Sequence, residues 1–110
     1  MVEKYADQIS IWPGYSCGEG WHDIINDAID EMFAIDPDLS LDQVKEKFGG
    51  LRIYYTPSVD WDSEQAATLR EIVRRAESKA NDTCENCGSA ENVDFANSSW
   101  IRRLCETCRN

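Results

Sequence analysis

The sequence predicts an α+β fold of two amphipathic helices, a small antiparallel sheet or hairpin, and a cysteine-rich ribbon at the C-terminus. Three observations support this prediction. Apolar residues recur at i, i+3, i+4 and i+7 in two segments of the 110-residue chain, as expected when one face of each helix is buried. A run of aliphatic and aromatic residues next to a Gly-Gly pair lies between the two segments, and paired cysteines close the chain.

The first helix is predicted over residues 21–33, after an irregular aromatic opening segment that extends to Gly20. Asp36-Pro37 should end it, because a residue that precedes proline is disfavoured in the helical region. Its apolar stripe consists of Trp21, Ile24, Ile25, Ala28, Ile29, Met32 and Phe33.

Two structures are open for residues 40–56. Ser40 and Gln43 resemble a capping box, which with Gly49 as C-cap predicts a short helix over 41–48. Alternatively, Gly49-Gly50 is the two-residue turn of a hairpin. We favour the hairpin, with strands Gln43–Phe48 and Leu51–Thr56.

Alternating charges in this central block have two interpretations if the block is a hairpin. Cross-strand ion pairs on the exposed face are the simpler expectation. A recognition surface is the alternative. The residues concerned are Lys45, Glu46, Lys47 and Arg52.

The second helix is predicted from about Ser63 to Ala80, with Asp62 or Ser63 as its N-cap. Its apolar stripe comprises Ala66, Leu69, Ile72, Val73, Ala76 and Ala80.

Composition narrows the classes of function. The formal net charge is -10, and residues 1–40 hold nine acidic side chains against one basic side chain. This balance disfavours nucleic-acid or anionic-membrane binding as the main activity, since phosphates are neutralised by cations. No apolar run approaches the length of a membrane span and no signal peptide opens the chain, so we expect a cytoplasmic protein.

The strongest motif is a pair of C-x2-C sequences, Cys84/Cys87 and Cys105/Cys108, separated by seventeen residues. Four thiolates at this spacing are typical of a tetrahedral zinc site. The interval leaves room for two short strands, Val93–Ala96 and Trp100–Leu104, which together with the cysteines predict a zinc ribbon. Gly88 fits a cysteine turn that needs positive φ.

The zinc should be structural, because four cysteines close its coordination shell. Two disulfides would suit a secreted protein, and an iron–sulfur cluster ordinarily uses other spacings, so both are weaker alternatives. We expect an acidic part over residues 1–83 with the ribbon, residues 84–110, docked on it as a single compact domain.

An ordered series of motifs resembles a group of small, uncharacterised phage and bacterial proteins. The series consists of Gly20-Trp21-His22-Asp23-Ile24-Ile25, then the block Val44 to Tyr54 (VKEKFGGLRIY), then the two cysteine pairs. The resemblance implies a phage or bacterial origin and supplies no mechanism.

Four acidic side chains on the polar side of the first helix form the candidate partner-binding site: Asp23, Asp27, Asp30 and Glu31. A row of carboxylates on a rigid helix can imitate the phosphates of nucleic acid. We therefore predict a non-enzymatic, zinc-stabilised protein that binds a basic protein surface, as a phage-type inhibitor of CRISPR or another defence complex does. A solvated, solubilising helix face is the plainer alternative.

A zinc-ribbon nucleic-acid binder is the second hypothesis, with phosphate contacts from Arg70, Arg74, Arg102 and Arg103. Catalysis is not expected, because no recognisable catalytic motif is present. Cys17 is expected to be a buried apolar residue, and His22 a partly exposed residue in the first helical turn.

Overall fold

The computed structural model describes residues 17–95 and 102–109. It confirms the α+β class: helices pack with a two-stranded antiparallel hairpin, and a second short two-stranded ribbon carries the cysteines. In chain order the elements are α1 (His22–Ile35), β1 (Ser40–Lys47), β2 (Gly50–Thr56), α2 (Glu64–Asn81), β3 (Asp94–Phe95), β4 (Arg103–Leu104) and α3 (Glu106–Arg109).

Helix α1 has the predicted apolar stripe and the predicted end. A 3-10 turn, Glu19–Trp21, leads into it, and the Trp21 side chain is fully buried. The helix ends at Asp36, whose backbone N–H still donates to the Met32 carbonyl. Six residues of α1 are buried in the main core: Ile24, Ile25, Ala28, Ile29, Met32 and Phe33.

Residues 40–56 form the hairpin and not the short helix. Val44 lies opposite Ile53 and Glu46 opposite Leu51, so the aliphatic side chains of both strands face the helices. The register shifts between Leu41 and Gln43. This bulge keeps both Leu41 and Val44 in the core although they are three residues apart, whereas strict alternation would send one of them to solvent.

The turn differs from the predicted Gly49-Gly50. Its central residues are Phe48 and Gly49, with φ of 54° and 80°, while Gly50 pairs with Lys47 as a strand residue. Positive φ at both central positions is the conformation of a type I′ turn, which fits the twist of a two-residue hairpin. The Glu46 carboxylate stabilises the turn by accepting a hydrogen bond from the Gly49 N–H.

The prediction of cross-strand ion pairs in the central block is wrong. Lys45 lies directly opposite Arg52, and Glu46 lies on the other face, opposite Leu51. Charges that alternate along the sequence therefore lie on opposite faces of the hairpin, because neighbouring strand residues point in opposite directions.

Helix α2 begins and packs as predicted. Ser63 is the N-cap, and its hydroxyl accepts a hydrogen bond from the Ala66 N–H. The buried Asp36 carboxylate accepts from the backbone N–H and the hydroxyl of Ser58, which fixes the connection before α2. Along α2, the Glu77 carboxylate accepts from the Ile53 N–H, at the edge of β2 that faces away from β1.

The C-terminal ribbon is shorter than predicted within the described residues. Asp94 pairs with Leu104 and Phe95 with Arg103. Residues 96–101, and with them much of the predicted strand Trp100–Leu104, lie outside the described residues. Arg103 joins the ribbon to the rest of the fold, because its guanidinium donates to the carbonyls of Gly49 and Asn81.

Across residues 17–95 and 102–109, none of the helices is long and apolar enough to cross a membrane.

Replacing the N-cap of α2 should weaken the fold by a defined amount. Ser63→Ala removes the acceptor for the Ala66 N–H and should lower the free energy of unfolding by about 1 kcal/mol. Ser78→Ala, at an exposed position inside the same helix, is the matched control and should leave stability unchanged or slightly higher. Urea denaturation followed by circular dichroism measures both; equal effects would contradict the capping role.

Candidate metal centre

The first cysteine pair lies on a tight turn that directs both sulfurs to one point. The Gly88 N–H donates to the Cys84 carbonyl, and the Cys87 N–H approaches the Cys84 sulfur at 3.5 Å. Gly88 has φ +84°, as predicted, so the chain reverses where a side chain would be strained. The turn is held to the ribbon by the Glu85 N–H, which donates to the Arg103 carbonyl.

The second pair is placed differently, at the start of a helix. Cys105 follows β4 and is buried, and Cys108 lies within α3. The Arg109 side chain donates to the Leu104 and Asn92 carbonyls, which fixes α3 against the ribbon.

The four cysteine sulfurs converge. All lie within 4.8 Å of one another, and those of Cys87 and Cys105 are 3.6 Å apart. A tetrahedral site with metal–sulfur bonds of about 2.3 Å places neighbouring sulfurs about 3.8 Å apart, which is close to this arrangement. A disulfide needs about 2.05 Å, and the cysteines are free thiols. The cluster can therefore hold a metal ion.

The acidities of the thiols fit such a cluster. Burial raises the pKa of Cys84, but the N–H groups of Cys105, Cys87 and Asn86 outweigh it and lower the pKa to about 6. The pKa of Cys87 is raised to about 12, because the thiols of Cys105 and Cys84 outweigh the Ser89 N–H. Neighbouring thiolates repel one another, and a bound cation would supply the opposing charge.

The metal centre is docked on the start of α1 by backbone contacts. The Gly20 N–H donates to the Glu85 carbonyl at 2.7 Å, and the Trp21 indole N–H donates to the Thr83 carbonyl at 2.9 Å. A Cβ at Gly20 would lie 2.1 Å from the Cys84 carbonyl oxygen, and one at Gly18 would lie 2.4 Å from that of Glu85. Only glycine permits this approach at either position.

Glu85 is a buried carboxylate beside the metal ligands. One of its oxygens accepts a hydrogen bond from the Gly18 N–H at 2.9 Å, and the other lies 3.5 Å from the Arg102 guanidinium. Its side chain is 5% exposed, and Oε1 has no hydrogen-bond partner among the described residues, so the Arg102 guanidinium opposes the charge by its proximity alone. Glu85 thus connects the metal turn, the segment before α1 and the end of the ribbon.

Sequence reasoning identified the four cysteines of the cluster but missed this docking surface of Gly18, Gly20, Trp21 and Glu85. From the sequence alone, the two glycines before α1 are only part of an irregular opening segment that extends to Gly20. The signal that could have found them is their spacing: two glycines two residues apart, directly before a large aromatic residue, fit a segment that must approach another backbone closely.

The four predicted partner-binding acids all lie on α1. Asp23, Asp27 and Glu31 are exposed, and Asp30 is half-buried. Asp27 and Glu31 line a groove between α1 and α2 whose other side carries Arg75 and Lys79. Glu31 lies 3.8 Å from Arg75, so the acidic row borders basic side chains along this edge.

The four arginines of the nucleic-acid hypothesis all have contacts within the protein. Arg70 donates to the Trp61 carbonyl and Arg74 pairs with Glu71 at 2.6 Å. Arg102 lies beside Glu85, and Arg103 donates to two carbonyls and stacks 4.3 Å from the Phe95 ring. They do not form one free cationic surface.

Cys17 is half-buried and packs against the main core. Burial raises the pKa of its thiol to about 12, and the nearby carboxylates of Glu85 and Glu46 add to the shift. His22 is half-buried as the first residue of α1.

A scan against protein-family models matches none, and searches of the curated proteins and of the solved structures return no match. The resemblance to small phage and bacterial proteins therefore stays a prediction.

A methyl group at Gly20 should weaken metal binding. Gly20→Ala forces the Cys84 and Glu85 carbonyls away from α1, at a cost of about 1–3 kcal/mol. Transfer of the metal to a chromogenic chelator should become faster and the melting temperature should fall. Gly50→Ala is the control, because its Cβ comes close to the flexible end of Arg52 and lies at an ordinary contact distance of 3.6 Å from the Lys47 carbonyl oxygen. Identical behaviour of the two variants would refute the docking contact.

Cys17 should resist alkylation in the folded protein. A thiol with a pKa of about 12 in place of 9.0 has about a thousandfold less thiolate at pH 8, partly offset by the stronger intrinsic nucleophilicity of a less acidic thiol. Iodoacetamide should modify it about 100-fold more slowly than the same residue in urea, as measured by peptide mass spectrometry. Rapid modification of the native protein would contradict the raised pKa.

Proposed function

We propose that the protein is a non-enzymatic, zinc-stabilised binding protein, and that the acidic face of α1 binds a basic protein surface. The observation that carries the zinc assignment is the convergence of the four cysteine sulfurs within 4.8 Å. Four thiolates in a closed shell favour zinc over magnesium or calcium, which take oxygen ligands. Such a closed shell leaves no open position for a substrate, so the metal has a structural role.

The acidic face of α1 is the proposed partner-binding surface, comprising Asp23, Asp27, Asp30 and Glu31. Two observations support this proposal: three of these side chains are exposed on one rigid helix, and the protein has a net charge of -10. The cysteine cluster lies against the 3-10 turn that leads into that helix, through Gly20 and Trp21. Zinc would therefore hold the acidic face in a fixed position relative to the ribbon.

The most concrete form of this proposal is a phage-type inhibitor of a bacterial defence complex, such as an anti-CRISPR protein, acting in the host cytoplasm. A rigid row of carboxylates could occupy a basic groove built for the nucleic-acid backbone. The alternative of direct phosphate binding by Arg70, Arg74, Arg102 and Arg103 is weakened by their internal contacts.

Zinc should be required for the ribbon to fold. The purified protein should contain one zinc per chain by elemental analysis. Cys105→Ser should abolish stoichiometric binding, because it removes a buried ligand. The control Cys17→Ser leaves the four ligands intact and should retain one zinc. Iron in place of zinc, or metal retained without Cys105, would contradict the assignment.

The acidic face should determine partner binding. Tagged, zinc-loaded protein is incubated with bacterial lysate beside a variant with lysine at Asp23, Asp27, Asp30 and Glu31, and captured proteins are identified by mass spectrometry. We expect the unmodified protein to capture a nucleic-acid-handling complex. The lysine variant should fail to capture it, and added DNA should displace it from the unmodified protein. The three substitutions at exposed positions should change the melting temperature little, since exposed charges contribute little to stability, and a larger fall would come from the half-buried Asp30.

A second variant of the same net charge is the control. It carries lysine at four exposed acids off α1, namely Asp60, Asp62, Asp82 and Glu91. It should capture the same complex as the unmodified protein. Equal loss from both variants would show a general charge effect, and equal capture by both would leave α1 with a solubilising role only.

A further inference from the structure

The exposed side of the β1–β2 hairpin is cationic and aromatic. This hairpin face consists of Gln43, Lys45, Lys47, Arg52 and Tyr54, with Phe48 at the tip. Within the described residues, the nearest carboxylates of the hairpin are directed elsewhere. Glu46 binds the Gly49 N–H from the opposite side, and Asp42 binds the hydroxyls of Ser40 and Thr56 at the end far from the tip.

Two of the three cations of this face lie opposite each other, which destabilises the hairpin. Lys45 lies directly opposite Arg52, and like charges at opposed strand positions destabilise a sheet. In the described part of the chain no ion pair joins a carboxylate to Lys45, Lys47 or Arg52, whereas the arginines at 74, 75 and 102 pair with carboxylates. Arg52 donates a hydrogen bond to the carbonyl of its neighbour Leu51, which leaves its positive charge without a counter-charge among the described residues. The arrangement suits an anion from outside the molecule.

The aromatic rings of the hairpin face point to the same kind of ligand. Phe48 is 72% exposed and has φ 54°; asparagine or glycine would adopt this conformation with less strain, and an exposed ring contributes nothing to the core. Lys47 lies 5.9 Å from the Phe48 ring, and Lys45 lies 5.7 Å from the half-exposed Tyr54 ring. Each ring is therefore next to a cation.

We propose that the hairpin face binds single-stranded nucleic acid. The rings of Phe48 and Tyr54 stack on bases, while Lys45, Lys47 and Arg52 neutralise the phosphates that link them. An aromatic platform beside cations on an open sheet is the arrangement by which proteins hold single strands without reading their sequence. This surface is separate from the acidic face of α1, so each can be tested without the other.

An acidic protein segment would be a weaker ligand for this face. Exposed carboxylate–ammonium pairs contribute little, because water screens them and both side chains lose freedom. A phosphate chain gains in addition from the release of its condensed counterions. The net charge of -10 opposes any polyanion at long range, so binding should be modest and strongest at low salt.

The test uses the full-length, zinc-loaded protein and fluorescence anisotropy of fluorescein-labelled oligo(dT) of about ten nucleotides, a length within the usual site size of such surfaces. We expect saturable binding at about 50 mM salt. Three neutralised phosphates predict that log affinity falls with log salt with a slope of about -2. Replacing Lys45, Lys47 and Arg52 by glutamine should reduce affinity at least about tenfold and flatten that slope.

The Phe48→Asn variant distinguishes an effect on oligonucleotide binding from an effect on the stability of the fold. Asparagine tolerates positive φ, so the variant should be as stable as the unmodified protein or more so. Loss of one stacking ring should nevertheless lower affinity for the oligonucleotide by about tenfold. Unchanged affinity in this variant would refute the stacking role.

A control variant removes the same charge from another surface, with glutamine at Arg70, Arg74 and Lys79 on α2. It should bind as the unmodified protein does, and an equal loss would overturn the assignment to the hairpin face. Failure to bind at low salt would also overturn it. Displacement of the oligonucleotide by a poly-glutamate peptide at similar concentration would overturn the proposal as well, because the hairpin face would then be a site for acidic protein segments.

Discussion

The attachment of the cysteine cluster to the main core depends on a close backbone contact between two segments more than sixty residues apart, Gly18–Trp21 and Thr83–Gly88. Two glycines allow the start of α1 to approach the carbonyls of the metal turn, and the Trp21 indole N–H satisfies the Thr83 carbonyl in a buried position. Buried backbone polar groups need such partners. The contact therefore couples the cysteine cluster, which has few apolar residues of its own, to the main core.

This coupling explains why so small a ribbon can have a defined position. Within the described residues, its apolar cluster consists of Leu104 and the cysteines, with Val93 beside them, which is little apolar surface from which to fold without help. The metal would supply folding free energy from inside the ribbon. Two side chains attach the ribbon to the rest of the fold. Arg103 donates hydrogen bonds to the Gly49 and Asn81 carbonyls, and Glu85 accepts one from the Gly18 N–H.

Local chemistry was sufficient to predict the helices and the four cysteines that cluster. The Ser63 cap, the Asp36-Pro37 stop and the two cysteine pairs each act through neighbours in sequence. The hairpin turn and the charge pairing were mistaken, because the register depends on which aliphatic residues meet across the strands and on a bulge near Asp42. Likewise, the roles of Gly20 and Glu85 depend on contacts with segments distant in sequence.

The hydrogen bond from the Ile53 N–H to Glu77 has a consequence for association between molecules. A two-stranded sheet offers outward-facing backbone groups, and an exposed strand edge can recruit a strand from another chain. At Ile53 that donor is already used by a carboxylate from α2, and the helix itself lies along this side of the hairpin. The helix that completes the core thus also obstructs the addition of a strand from another molecule at the outer edge of β2.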